Sequence, residues 1–123
     1  MPIIADFGYA RRLADGELCY RLCGTKCYMA PEILECQPYS FAVDIWSFGI
    51  LLYALATGAD YPFPTIEERL SQRNIHKYAK IVRESRLKFR GNEWRLHSDD
   101  FKDLIIKMLE KDPEKRLTIN DVM

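Results

Sequence analysis

The sequence predicts a mainly α-helical fold, and three features carry that expectation. The stretch from Phe41 to Ala56 is apolar nearly all the way round a helix. Phe101, Leu104, Ile105, Met108 and Leu109 recur at helical spacing. Thr65-Ile66-Glu67-Glu68 and Thr118-Ile119-Asn120-Asp121 both have the form of a capping box.

Taken in order, Ile3-Ile4-Ala5 reads as the end of a short strand. Residues 9–29 mix charged, aromatic and glycine residues without a period, which predicts an irregular loop. Pro31 suits a first helical position, so a short helix is expected near 31–36. Ser40 can cap a long helix over about 41–57, which Gly58 would end. A helix apolar on all sides belongs in the middle of a domain. Asp44 lies inside it, and a charge there demands hydrogen-bonding partners. Tyr61-Pro62-Phe63-Pro64 makes a rigid connector, and the capping box at 65–68 opens a further helix. The polar stretch from Asn74 to Arg86 shows no clear assignment. Ser98-Asp99-Asp100 leads into the helix that carries Phe101 to Leu109, and Lys111-Asp112-Pro113 ends it. A last helix starts at Thr118. The chain begins within a strand and stops within a helix, so both ends read as cut.

With 123 residues, of which 48% are hydrophobic, one folded domain is expected rather than a disordered chain. Eighteen basic residues balance eighteen acidic ones, so neither nucleic acid nor a membrane surface is an expected partner. The Phe41–Ala56 stretch falls short of the roughly 20 residues that span a bilayer. Met1-Pro2-Ile3-Ile4-Ala5 lacks the charged start and long apolar run of an export signal. Cys19, Cys23, Cys27 and Cys36 do not form the paired spacing of a zinc site, and Gly24 interrupts any helix that would align the first three. Free thiols are favoured over a redox-sensitive loop or a metal site. An intracellular, cytoplasmic location follows from these readings.

Four motifs carry chemistry. Asp6-Phe7-Gly8 offers a carboxylate, an aromatic anchor and a residue that permits a turn. Alone it could equally be a strand ending in a turn. It is followed by Gly24-Thr25-Lys26-Cys27-Tyr28-Met29-Ala30-Pro31-Glu32, then Asp44-Ile45-Trp46-Ser47-Phe48-Gly49, then Asp112-Pro113-Glu114-Lys115-Arg116-Leu117-Thr118. In this order the four resemble the catalytic domain of eukaryotic-type Ser/Thr protein kinases, over nearly the whole chain.

The resemblance implies a partial kinase domain over 1–123. Residues 1–32 would hold the metal-binding motif and an irregular activation segment. Residues 33–123 would be the helical C-lobe, built on a long central buried helix and truncated at both ends. The implied activity is transfer of the γ-phosphoryl of ATP to protein hydroxyls, with ATP and Mg²⁺ as cofactors of the parent kinase and a protein as substrate. Asp6 resembles the metal ligand, with Phe7 and Gly8 shaping its turn. Thr25 resembles the threonine that supports the catalytic groups in the Ser/Thr branch. Glu32 and Arg116 resemble the partners of a buried ion pair. Asp44 resembles the aspartate that accepts hydrogen bonds from the catalytic loop. Leu22 and Met29 resemble walls of the pocket for the residue after the target. Ala54 stands where some relatives carry a glutamate, implying a weak requirement for arginine before the target. The arrangement of Phe89, Trp94 and Ser98 before Asp103-Leu104-Ile105 resembles the calcium/calmodulin-dependent and unc-51-like groups.

Departures matter as much. No Gly-x-Gly-x-x-Gly and no His-Arg-Asp occurs in the sequence. The roof over the nucleotide and the catalytic base are therefore absent from these 123 residues, and the chain alone is expected to be inactive. A non-catalytic, kinase-like binding or regulatory fragment is the alternative. Arg21 occupies the usual place of a phosphorylated threonine, beside Tyr20, so the parent kinase is not expected to rely on threonine phosphorylation there; a phosphate on Tyr20 would be the regulatory alternative, and Arg11 resembles one of the arginines that hold such a phosphate. The central helix is expected to expose an apolar flank that the kinase N-lobe or another protein would cover.

Overall fold

The computed structural model describes residues 1–64 and 74–123. Its helices are α1 (Pro31–Leu34), α2 (Ala42–Thr57), α3 (Ile75–Glu84), α4 (Asp99–Met108) and α5 (Ile119–Val122). Short 3₁₀ turns stand at Lys26–Tyr28 and Asn92–Leu96. The chain is mainly helical, as its apolar spacing predicts.

The core gathers around α2. This helix packs on α4 and both 3₁₀ turns, while α1 packs on α3. Its start is set by backbone rather than by the hydroxyl of Ser40. Val43 N–H donates to the Ser40 carbonyl at 3.3 Å and Asp44 N–H to the Phe41 carbonyl at 3.0 Å. Its end is Gly58, at φ 73° and ψ 39°, a left-handed residue whose N–H returns to the Ala54 carbonyl. Gly49 lets α2 lie directly under the end of α4. A Cβ there would sit 2.9 Å from Leu109 Cδ2 and 3.0 Å from Met108 Cβ, closer than side chains approach.

The Asn74–Arg86 stretch, unassigned from sequence, contains α3. Ile75, Tyr78, Ala79 and Val82 are buried along one face, at i, i+3, i+4 and i+7. Ser98 caps α4 by accepting from Phe101 N–H at 3.2 Å. Thr118 and Asp121 form a reciprocal capping box at α5. The capping box expected at 65–68 lies outside the described residues.

One expectation needs correction. Ile3-Ile4-Ala5 forms no strand. Among the described residues the only β pairing is the antiparallel bridge between Cys19 and Tyr39, with bonds of 2.7 and 2.9 Å. With no neighbour to pair its backbone, the segment around Ile3 and Ile4 remains irregular and exposed. The long helix is buried on one side only. Ile45, Trp46, Ile50 and Tyr53 face the core, while Phe48, Leu51 and Leu55 stand exposed, Leu55 at 70%. The exposed flank is the apolar patch expected of a helix that is apolar all round.

Candidate functional site

Asp6 stands at the surface in the left-handed region, with φ 62°. Aspartate tolerates this conformation better than most residues. Its carboxylate accepts from Gly8 N–H at 3.3 Å, and Ala10 N–H donates to the Phe7 carbonyl at 3.0 Å. The tripeptide is thus a self-closed turn, with the Phe7 ring 70% exposed.

The loop that follows is tied down at several points. Arg11 pairs with Glu17, whose other oxygen accepts from Ala14 N–H at 2.9 Å. The Ala14 bond and the Arg11 charge hold the Glu17 carboxyl below its ordinary value. The Arg11 guanidinium therefore already has an anion from its own loop. Tyr39 Oη donates to the Arg21 carbonyl at 2.6 Å. Ser47 Oγ on α2 donates to the Tyr28 carbonyl at 2.9 Å, which anchors the turn behind Thr25. Tyr20 is exposed at the loop surface.

At the end of the loop, Pro31 starts α1 and places Glu32 inside. Arg116, 84 positions later, reaches it with a two-pronged contact of 2.7 and 3.0 Å. Glu32 and Arg116 are 2% and 4% exposed. The guanidinium also donates to the Ala42 carbonyl at 3.0 Å and the Glu110 carbonyl at 2.7 Å. Its centre lies 5.1 Å from the Trp46 ring centroid. One cation thereby fastens the loop end, the start of α2 and the segment after α4 together.

Asp44 lies where three clefts meet. One, of about 280 Å³, is shared with Thr25 and Met29. Another, of about 210 Å³, includes Arg11. The third, about 420 Å³ and mostly apolar, runs between Phe41 and Ile119 and touches Arg116. Asp6, Phe7, Gly8, Tyr20 and Leu22 line none of the three. Leu22 is exposed, whereas Met29 is buried in the core. Among the described residues no hydrogen bond reaches the Asp44 carboxylate, and although the residue keeps solvent contact, partial desolvation beside its neighbours raises its carboxyl above the ordinary value.

That shift has a sign. The folded chain holds the Asp44 proton more tightly than the unfolded chain does. Stability from this group is therefore greatest in acid and declines as pH rises from the unfolded value through the raised folded one. Asp44→Asn should lose less stability than the native chain as pH rises above the ordinary carboxylate range in urea unfolding. An equal decline in both would refute the assignment.

Sequence reasoning missed two charged features. Arg83 on α3 makes a forked contact with Glu35, at 2.9 and 2.6 Å, and donates to the Lys111 carbonyl at 3.1 Å. Glu35 raises the Arg83 pKa further. The partners lie 48 positions apart, so no local pattern could have joined them. The alternation Arg86-Leu87-Lys88-Phe89-Arg90 was a visible signal that the reading of 74–86 stopped short of.

The model of the family described as protein kinase domain matches residues 2–123. This chain belongs to the protein kinase family. Among curated relatives of this kinase chain, a probable myosin light chain kinase of Dictyostelium discoideum is 37% identical over 98% of this chain and 35% of its own length. Serine/threonine-protein kinase atg1 of Botryotinia fuckeliana is 40% identical over 94% of this chain and 11% of its own. Human ribosomal protein S6 kinase alpha-2 is 40% identical over 98% of this chain and 16% of its own. The chain thus spans about a third or less of each relative's length. Protein kinases use ATP and Mg²⁺ and act on protein substrates. None of the described helices is long and apolar enough to cross a membrane.

Proposed function

We propose that this chain supplies the metal-binding turn, activation segment and helical C-lobe of an ATP-dependent protein Ser/Thr kinase. The observation that carries the reading is the buried Glu32–Arg116 contact, which seats the loop leading from Asp6 against α2. A loop held at that end can present its residues in a fixed geometry, and positioning is most of what phosphoryl transfer asks of a protein.

The donor set limits the metal reading. Among the described residues no group of three or more histidine, cysteine, aspartate or glutamate side chains could hold a metal ion. Mg²⁺ needs no such cage, because it binds through one or two carboxylates together with phosphate oxygens and water. Exposed Asp6 fits as one of those carboxylates. Bound there, the ion would neutralise charge on the nucleotide phosphates. Thr25 lies in the cleft that Asp44 borders, where it would support the catalytic groups. The Arg11–Glu17 pair orders the loop without a phosphate.

The test is a chimera in which this chain replaces the matching part of ribosomal protein S6 kinase alpha-2. The chimera should phosphorylate serine or threonine peptides and not tyrosine peptides. Asp6→Asn should lower kcat by at least about 10²-fold, since metal neutralisation of the phosphates would be lost. A folded chimera without transfer, or with transfer indifferent to Asp6→Asn, would overturn the reading. Residues 1–123 alone should transfer nothing. One observation favours a second reading, that of a kinase-like binding piece: the open α2 flank of Phe48, Leu51 and Leu55.

A further inference from the structure

Beyond α3 the chain runs from Ser85 to Arg90 with an alternation that only extended backbone produces. Leu87 and Phe89 turn inward and pack against the core. Arg86, Lys88 and Arg90 turn outward and are exposed. Three cations therefore stand in a row on one side of the segment. Four steps at about 3.3 Å make that row roughly 13 Å long.

The row borders a cleft of about 360 Å³, walled by Tyr53, Tyr61 and Phe63 and two prolines. No carboxylate lines it among the described residues. Asp60 acts on Tyr53 from outside the lining. Elsewhere the exposed cations Arg11, Lys80, Lys107 and Lys115 have carboxylate partners, while Arg12, Lys77 and Arg95 have no ion pair among the described residues but do not stand in a row on one face of an extended segment. Arg86, Lys88 and Arg90 make no ion pair among the described residues, although like charges two positions apart repel. The segment itself is held firmly. Tyr53 Oη donates to the Lys88 carbonyl at 2.7 Å, and Lys111 Nζ donates to the Ser85 carbonyl. Phe89 packs edge-on to Trp94, with ring centroids 4.6 Å apart.

We infer that this face is a docking site for an extended acidic peptide segment of a protein partner. Acidic residues at alternate positions of an extended peptide repeat at the spacing of the three cations. Tyr61, 37% exposed at the rim beside Pro62 and Pro64, takes the apolar side chains between them, with Tyr53 and Phe63 forming the buried floor. The cleft has room for a few side chains rather than a duplex, and the balanced net charge of the chain gives no general attraction to nucleic acid. The inference does not depend on the kinase reading, because its test measures binding and no phosphoryl transfer.

The probe is a fluorescein-labelled peptide, Gly-Glu-Val-Glu-Val-Glu-Gly, followed by fluorescence anisotropy against the full chain at low and at moderate salt. The variant R86E/K88E/R90E should weaken binding by about tenfold or more. The control R12E/K77E/R95E changes net charge equally at exposed positions elsewhere and should weaken it less than about threefold. All three forms should unfold at similar urea midpoints, since the substituted side chains are exposed. Native binding should fall as salt approaches the range where the Debye length is about 10 Å. Equal losses in the two variants, absence of peptide binding by the native chain, or tighter binding of an oligothymidine than of the peptide would each overturn the inference.

Discussion

Arg116→Ala should destabilise the chain by about 3–5 kcal/mol, the usual cost of stranding one partner of a buried ion pair. The size follows from what remains. Glu32 would keep its carboxylate in a site that is 2% exposed, facing a void where two guanidinium nitrogens had been. The Ala42 and Glu110 carbonyls would lose their donor as well. A small domain has about 5–15 kcal/mol of stability in all, so this loss is a large part of it. The effect should appear as a lower urea midpoint in far-UV circular dichroism. A double variant, Glu32→Leu with Arg116→Met, should lose much less than the sum of the single losses, because it removes both charges and leaves none unpaired. A cost below about 1 kcal/mol for Arg116→Ala would put the pair in the class of surface bridges and refute this account.

Trp46→Ala should cost a similar amount, about 3–5 kcal/mol, by a different mechanism. The indole is 1% exposed and stacks on Phe63, with centroids 5.6 Å apart and planes 8° from parallel. It also lies beneath the Arg116 guanidinium. Truncation opens a cavity at the centre of α2 and removes the surface that supports Arg116. Trp46→Phe separates packing from polarity. Among the described residues the indole N–H has no hydrogen-bond partner, so its loss forfeits no bond there. The phenylalanine variant should therefore keep most of the stability that alanine loses. Urea midpoints of the two variants settle the matter, and equal losses would show that ring volume does not control the effect.

These two residues also mark how far the sequence could be read. Trp46 sits in an apolar helix whose boundaries local rules place to within a residue, because Gly58 supplies the left-handed cap and the apolar run supplies the rest. Ser98 and Thr118 were legible as caps for the same reason: each bond spans three residues. α3 was not assigned, although Ile75, Tyr78, Ala79 and Val82 carry a helical period, because polar residues outnumber apolar ones between Asn74 and Arg86. The supposed strand at Ile3-Ile4-Ala5 failed because strand propensity needs a partner strand, and a short apolar run cannot say whether one exists.

Within the candidate site, motif order pointed to Asp6, Thr25, Glu32, Asp44 and Arg116 as residues of interest. It could not tell that Arg11 would find Glu17, or that Asp44 would border three clefts with no hydrogen bond to its carboxylate among the described residues. Those outcomes depend on which surfaces meet.

The helical class, the caps and the membership in the protein kinase family were legible in the residues alone. Each rests on residues within a few positions of one another or on the order of short motifs. Packing was needed to show which side chains form the open side of α2, that Arg116 closes on Glu32 across 84 positions, and that Arg86, Lys88 and Arg90 form a row beside a cleft. Burial and long-range pairing depend on how elements pack, and a local pattern holds no record of the neighbour that an element will meet.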